Sequence, residues 1–253
     1  MRYRLGGHSR RGQQFGNRHV DADVPSSATN NVPTPDEQPT ILQFRIWLKE
    51  VSPMIWRRVQ VPSTMTLREF HGVLQVAMGW EGIHLYQFIV HTVRYGSWET
   101  AATSADVGLD ALKLRNGSRF VYEYDLNIPW EHEARLEGRR PPKSGAHYPC
   151  CIGGDGNCPP EDSGGPDVWM RQRDTALGLK QDEDLATALK FMAEINDAKS
   201  LAIFDDPNGG EELREVLDRI KERTALTGKP FERREVKKRL RQDEHLTLMH
   251  RQI

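Results

Sequence analysis

No uninterrupted apolar stretch of 18 residues occurs in this 253-residue chain, so the sequence offers no membrane-spanning helix. The first residues, MRYRLGGHSRRGQQFG, lack the apolar run of a secretory signal, which leads to the expectation of a cytoplasmic protein. Cysteine is scarce. There are three, two of them adjacent at Cys150 and Cys151, and an odd, clustered set argues against a disulfide framework and for a reducing compartment. Paired Cys-x2-Cys elements, the usual frame of a structural zinc site, are missing. So is any internal repeat at a solenoid period.

Charge is plentiful but nearly balanced, with 35 basic and 36 acidic residues and a formal net charge of −1. The balance is uneven along the chain. Residues 1–39 hold 5 basic against 4 acidic, residues 40–210 hold 18 against 23, and residues 211–253 hold 12 against 9. An acidic body and a basic C-terminal stretch follow. In residues 1–39, proline and small polar side chains outnumber large apolar ones, too few to repay the entropy of ordering the backbone, so a disordered arm is expected there.

From Ile41 the pattern alternates, Leu42, Phe44, Ile46 and Leu48 against Gln43, Arg45 and Lys49, and a second alternating run covers residues 55–61. Both read as strands. Thr66 and Glu69 form a capping box, Leu67, Phe70, His71, Leu74 and Met78 follow at helical spacing, and Gly79 supplies the stop. His71, on the apolar stripe, reads as a satisfied core histidine. Further strands are predicted over 84–91, 119–126 and 130–137, a loop over 138–166, and helices over 184–195, 211–223 and 231–240. Strands grouped around one early helix predict an α+β fold, a mainly antiparallel sheet packed by that helix, with C-terminal helices. The expected organisation is an arm over 1–39, one domain over 40–205, and a helical, basic extension over 206–253.

Three stretches carry a resemblance: PMIWRRVQVPSTMTLREFHGVLQVAMGWEGIHLYQF, FVYEYDLNIPWEHEARLE and YPCCIGGDGNCPPEDSGG. Together they resemble the plasmid pRiA4b ORF-3-like family, whose members occur on plasmids and as passengers of insertion elements. The resemblance implies an α+β fold and an association with mobile elements, and it brings no reaction. Some members carry a transposon-resolvase label, but nothing in the leader matches the arrangement of nucleophilic serine and catalytic arginines of a serine resolvase, and His91-Thr92-Val93-Arg94 spells a recombinase-like element only inside a predicted strand. The chain departs from the family pattern at Leu126-Asn127-Ile128, where the pattern has Phe-Gly-Asp, and at Ser163, where it has cysteine.

The residue types suggest three chemistries. Cys151 and Cys158, with Cys150 or His147 as a third ligand, could hold a zinc ion, the alternative being a rigid surface loop. Asp125, His132, Glu161, Asp162 and His84 could form the carboxylate and imidazole cluster of a metal-dependent, hydrolase-like enzyme. Against that stand the capping of a turn after Pro159-Pro160 by Glu161 and Asp162, the fixing of a strand end by Asp125 and the packing of His132 beside Trp130. Arg234, Lys237, Lys238 and Arg241 fall on one side of a helix and could contact nucleic acid, with a solvated helix face as the alternative. Its other side offers only Phe231, Val236 and Leu240, so loose docking is expected. Trp56, Trp80 and Trp130 read as core aromatics. The combined reading is a non-catalytic accessory or interaction protein with nucleic acid or another protein as partner. A metal-dependent enzyme at the Cys-Pro-Pro-Glu-Asp loop is the alternative.

Overall fold

A computed structural model describes residues 39–97, 99, 101–178, 181–199 and 207–250; the arm expected over 1–39 lies almost wholly outside the described residues. Eight strands form one sheet: β1 (Ile41–Leu48), β2 (Trp56–Pro62), β3 (Tyr86–Val90), β4 (Val93–Gly96), β5 (Thr103–Ser104), β6 (Arg119–Tyr124), β7 (Trp130–Arg140) and β8 (Cys150–Asp155). Their order is β5-β4-β3-β6-β7-β1-β2-β8, antiparallel throughout except for the β4–β5 pair. Among the described residues six helices accompany it: α1 (Leu67–Met78), α2 (Gly165–Gly178), α3 (Gln181–Ala198), α4 (Pro207–Thr227), α5 (Arg233–Arg241) and α6 (Glu244–Leu248). The α+β fold class follows.

Helix α1 begins where its capping box predicts. The Thr66 hydroxyl accepts from the Glu69 N–H at 3.1 Å and the Glu69 carboxylate accepts from the Thr66 N–H at 2.7 Å, satisfying donors that the first turn leaves orphaned. It ends at Gly79, whose φ of 91° is the left-handed conformation that glycine adopts without steric cost. The stripe Leu67, Phe70, Val73, Leu74 and Ala77 is buried against the sheet. There Phe70 meets Phe44 from β1 at 5.1 Å between centroids and Phe88 from β3 at 6.0 Å, with Phe120 from β6 at 6.3 Å. Each such ring, fully buried, contributes about 1.5–3 kcal/mol by removal of apolar area from water. His71 is a core histidine satisfied on one side only: Nδ1 lies 2.7 Å from the Tyr122 hydroxyl and the ring stacks on Tyr86 at 3.7 Å, while the buried Nε2 has no hydrogen-bond partner among the described residues.

Two irregularities shape the sheet. Gln43 pairs with Gly138 and Phe44 with Leu136, so Glu137 is an extra residue on β7, and its carboxylate takes Arg58 at 2.7 and 2.9 Å. Arg58 pairs with Gly153 and Val59 with Cys151, so Ile152 is the extra residue on β8. The loop predicted over 138–166 is therefore too long: β7 runs on to Arg140 and residues 150–155 form the edge strand β8. Trp80 and Trp130 are core aromatics, whereas Trp56 is half-buried, its ring within 4.9 Å of the Arg45 guanidinium carbon and 5.3 Å of that of Arg58.

The C-terminal stretch does not dock loosely. Val236, Leu240 and Leu248 join the same hydrophobic core as the sheet and α1. Gly72 on α1 makes the α6 contact possible, because a Cβ there would stand 2.0 Å from the His245 carbonyl oxygen. Phe231 packs under Arg57, whose guanidinium carbon is 4.1 Å from the ring centroid.

Candidate functional site

The three sequence stretches that carry the family resemblance meet at one rim of the sheet. After α1, Gly79 turns the chain and the Trp80 N–H bonds back to the Gln75 carbonyl at 3.0 Å. The Trp80 indole then donates to the Pro159 carbonyl at 2.8 Å and stacks on Tyr124 at 5.1 Å with 23° between planes. One residue on, the Glu81 N–H donates to Glu161 Oε2 at 2.8 Å. The other carboxylate oxygen of Glu161 accepts the Tyr124 hydroxyl, and that hydroxyl accepts the His84 backbone N–H at 3.3 Å. His84 Nε2 lies 2.9 Å from Asp162 Oδ1.

Two adjoining cavities open onto this cluster. One, of about 730 Å³, has an apolar wall of Met78, Trp80, Pro159, Pro160, Ile220 and Ala225, with Lys221 and Lys229 also on its lining. The other, of about 490 Å³, is lined on its polar side by Glu81, Glu161, Asp162, Ser163 and Gln172 and by no lysine or arginine. They share Glu81, Pro160, Glu161 and Ala225. The volumes are those of small-molecule or side-chain pockets. The strap after α4 borders the larger one; Gly228 sits so close to the Cys158 carbonyl that a Cβ would be 2.0 Å from it, and Lys229 pairs with Cys158 in an isolated bridge.

Burial sets the protonation states around the site. It pushes the Tyr124 phenol well above its usual range, with the Glu161 carboxylate adding to the effect, so Tyr124 acts as a proton donor in a hydrogen bond rather than as a base. Burial lowers His132 to about 4 and His71 to about 3, leaving both imidazoles neutral near pH 7. All three thiols are raised by burial, Cys158 to about 12.

Of the five residues expected as an acid–base cluster, Glu161 and Asp162 line the cavities and His84 sits behind them, 2.9 Å from Asp162. Asp125 closes the turn after β6, accepting from the Asn127 N–H at 3.3 Å with its side chain and from the Ile128 N–H at 3.1 Å with its carbonyl. His132 is fully buried under Trp80, 5.3 Å away edge to face, with Nδ1 3.0 Å from the Trp130 carbonyl. Among the described residues no group of three or more His, Cys, Asp or Glu side chains is placed to hold a metal ion. Cys150 and Cys151, being adjacent on β8, face opposite sides of the sheet, and Cys150 Sγ lies 3.8 Å from Gln60 Oε1 while Cys151 and Cys158 join the core. His147 is exposed. Arg234, Lys237, Lys238 and Arg241 are all exposed on α5.

Sequence reasoning passed over Trp80, Glu81 and Tyr124 as site residues, and it missed Arg57. Arg57 falls on the inward row of β2 with Val59 and Val61. It is 1% exposed, and its donors reach the carbonyls of Ala77 (2.8 Å), Trp56 (2.8 Å), Asp155 (2.8 Å) and Gly156 (3.0 Å). It ties the end of α1 to β8.

Comparison with known proteins agrees with this architecture. The family model described as plasmid pRiA4b ORF-3-like protein matches residues 40–207. The chain is 37% identical over 133 residues to the uncharacterized protein y4hQ of Sinorhizobium fredii (strain NBRC 101917 / NGR234), a match spanning 50% of this chain and 68% of that one. It is also similar to the crystal structure of a protein of unknown function, MM3350, from Methanosarcina mazei Go1, with a TM-score of 0.52 and 27% identity over 57% of this chain and 84% of that one. The protein whose Trp80, Tyr124 and Glu161 come together from those three stretches belongs to the plasmid pRiA4b ORF-3-like family.

Proposed function

We propose that this protein is a non-catalytic interaction protein that holds, in the paired cavities, a ligand with an apolar body and a positively charged end. The observation that carries the reading is the junction of a mainly apolar cavity, which has Lys221 and Lys229 on its lining, with a second one whose own polar lining is carboxylate-rich and holds no lysine or arginine. The apolar wall offers Trp80 and the Pro159-Pro160 pair to the body of the ligand. The acidic end offers Glu81, Glu161 and Asp162 to an ammonium or guanidinium, and the Tyr124 and Glu81 donors hold Glu161 in place before the ligand arrives.

The states of the reactive groups weigh against catalysis. A nucleophile needs an adjacent base or a lowered pKa; here burial keeps the thiols and Tyr124 protonated. Geometry weighs against the metal-dependent hydrolase at the Cys-Pro-Pro-Glu-Asp loop, since among the described residues no three His, Cys, Asp or Glu side chains come together there as ligands. An accessory role beside plasmids or insertion elements rests on the family resemblance.

The test is a tryptophan-fluorescence titration with 2-phenylethylamine and with the uncharged 2-phenylethanol. The amine is expected to bind at least about 10-fold more tightly, a difference of about 1.4 kcal/mol, and Glu161→Gln is expected to abolish the preference. Equal response to both compounds would refute the reading.

A further inference from the structure

Helix α5 is anchored by one side and bare on the other. Val236 and Leu240 sit in the core, and Arg239 is held by Glu244 at 2.7 and 2.6 Å. Arg233 reaches the Ile152 carbonyl at 3.4 Å, which sets the helix along the edge strand β8. The bare side carries Arg234, Lys237, Lys238 and Arg241, all exposed. Their spacing of three, four and seven residues makes a single row, about 10 Å long at 1.5 Å per residue. Among the described residues only Lys238 of these four meets a carboxylate, Glu235 at 3.8 Å.

We propose that this row docks on the phosphate backbone of a double-stranded nucleic acid. Independently of the cleft, three features argue for that partner. The row is straight and already ordered, so binding costs little side-chain or backbone entropy beyond the cations themselves, and a duplex presents on each strand a phosphate every 3.4 Å or so along its axis, enough to meet all four charges. The apolar side of α5 is used up in the core, so the helix has no face left to sink into a bilayer, as an interfacial amphipathic helix must. No aromatic side chain lies between Arg233 and Arg241, whereas proteins that grip single strands stack bases on aromatic rings. The contact is electrostatic and indifferent to base sequence.

The experiment is fluorescence anisotropy of a labelled duplex of mixed sequence with the full chain, across a range of salt. The slope of log affinity against log salt is expected at about −3.6, four phosphates neutralised at about 0.9 each. The double substitution Lys237→Glu, Arg241→Glu is expected to weaken binding at least about 30-fold and to flatten the slope by roughly two. The milder pair Lys237→Gln, Arg241→Gln, checked by thermal melting against the parent, gives the same readout should charge reversal disturb the fold. Absence of duplex binding at low salt would overturn the proposal. So would unchanged binding by folded variants, tighter binding of a single strand, or equal affinity for anionic vesicles.

Discussion

The indole N–H of Trp80 donates to the Pro159 carbonyl at 2.8 Å, fastening the turn after α1 to the loop after β8 over a separation of 79 residues. Trp80 is 2% exposed and also packs on Tyr124, Trp130 and His132. Trp80→Phe removes the donor, orphans a carbonyl and leaves a cavity, at an expected cost of about 2–4 kcal/mol. Urea unfolding monitored by far-UV circular dichroism measures it, and a cost below about 0.5 kcal/mol would mean that the two segments are held elsewhere.

Arg57 is the second fastening. Arg57→Leu keeps much of the volume but leaves carbonyls of α1, β2 and the β8 end without their donor, for an expected loss of about 3 kcal/mol or more. Arg57→Lys is expected to recover only part of it, because a point charge cannot span the carbonyls that a planar fork does. Phe231→Ala is milder, about 1–2 kcal/mol for the lost cation–π and packing contact, and hydrogen exchange on α5 is expected to quicken with it.

Acid lability follows from the two buried imidazoles. As pH falls below 6.5, His71 and His132 of the unfolded chain take up protons, while the folded ones, held down by burial to about 3 and about 4, do not. The unfolded state binds more protons in that window, so stability is complete above about 6.5 and drains on the order of 1.4 kcal/mol per pH unit per histidine down to the folded values. Buried His245, also lowered by burial, adds in the same direction. Denaturation midpoints recorded between pH 4.5 and 7 would show the decline, and His132→Phe is expected to lessen its slope. A flat profile would contradict the burial-driven neutrality of both rings.

The three cysteines are expected to resist thiol reagents in the native protein, since burial keeps each protonated, Cys158 most of all with its value near 12. Ellman titration near pH 8 is expected to show at least about 100-fold slower reaction than in denaturant for Cys158. A fast native thiol would place a reactive cysteine at this loop.

What could be read from the sequence was whatever depends on neighbours in the chain. The Thr66–Glu69 box is a local exchange of hydrogen bonds, and the alternation of β1 and spacing of α5 record which face is buried. Strand β8 was illegible because Cys150–Asp155 contains two glycines and no alternation; it is a strand through its pairing with β2, including a bulge at Ile152. Helix α2, with Gly165-Pro166 at its start, has weak apolar periodicity, and it is fixed by Trp169 donating to the Leu226 carbonyl at 2.7 Å. At the site, His84, Glu161 and Asp162 stood out by residue type. Trp80 and Tyr124 read as core because they are core, and their part in the site comes from their polar ends meeting the loop after β8. Arg57 occupies a position in the alternation where an apolar residue is the rule, and only the four surrounding carbonyls explain it.

The cleft itself is most directly tested by two-dimensional nuclear magnetic resonance of the isotope-labelled protein with 2-phenylethylamine added. Saturable shifts in the Trp80 indole and the Glu81, Glu161 and Asp162 amides, sparing the Trp47 indole on β1, are the expected result. Unmoved resonances around Trp80 and Glu161, or shifts that never saturate, would contradict a cation-accepting site there.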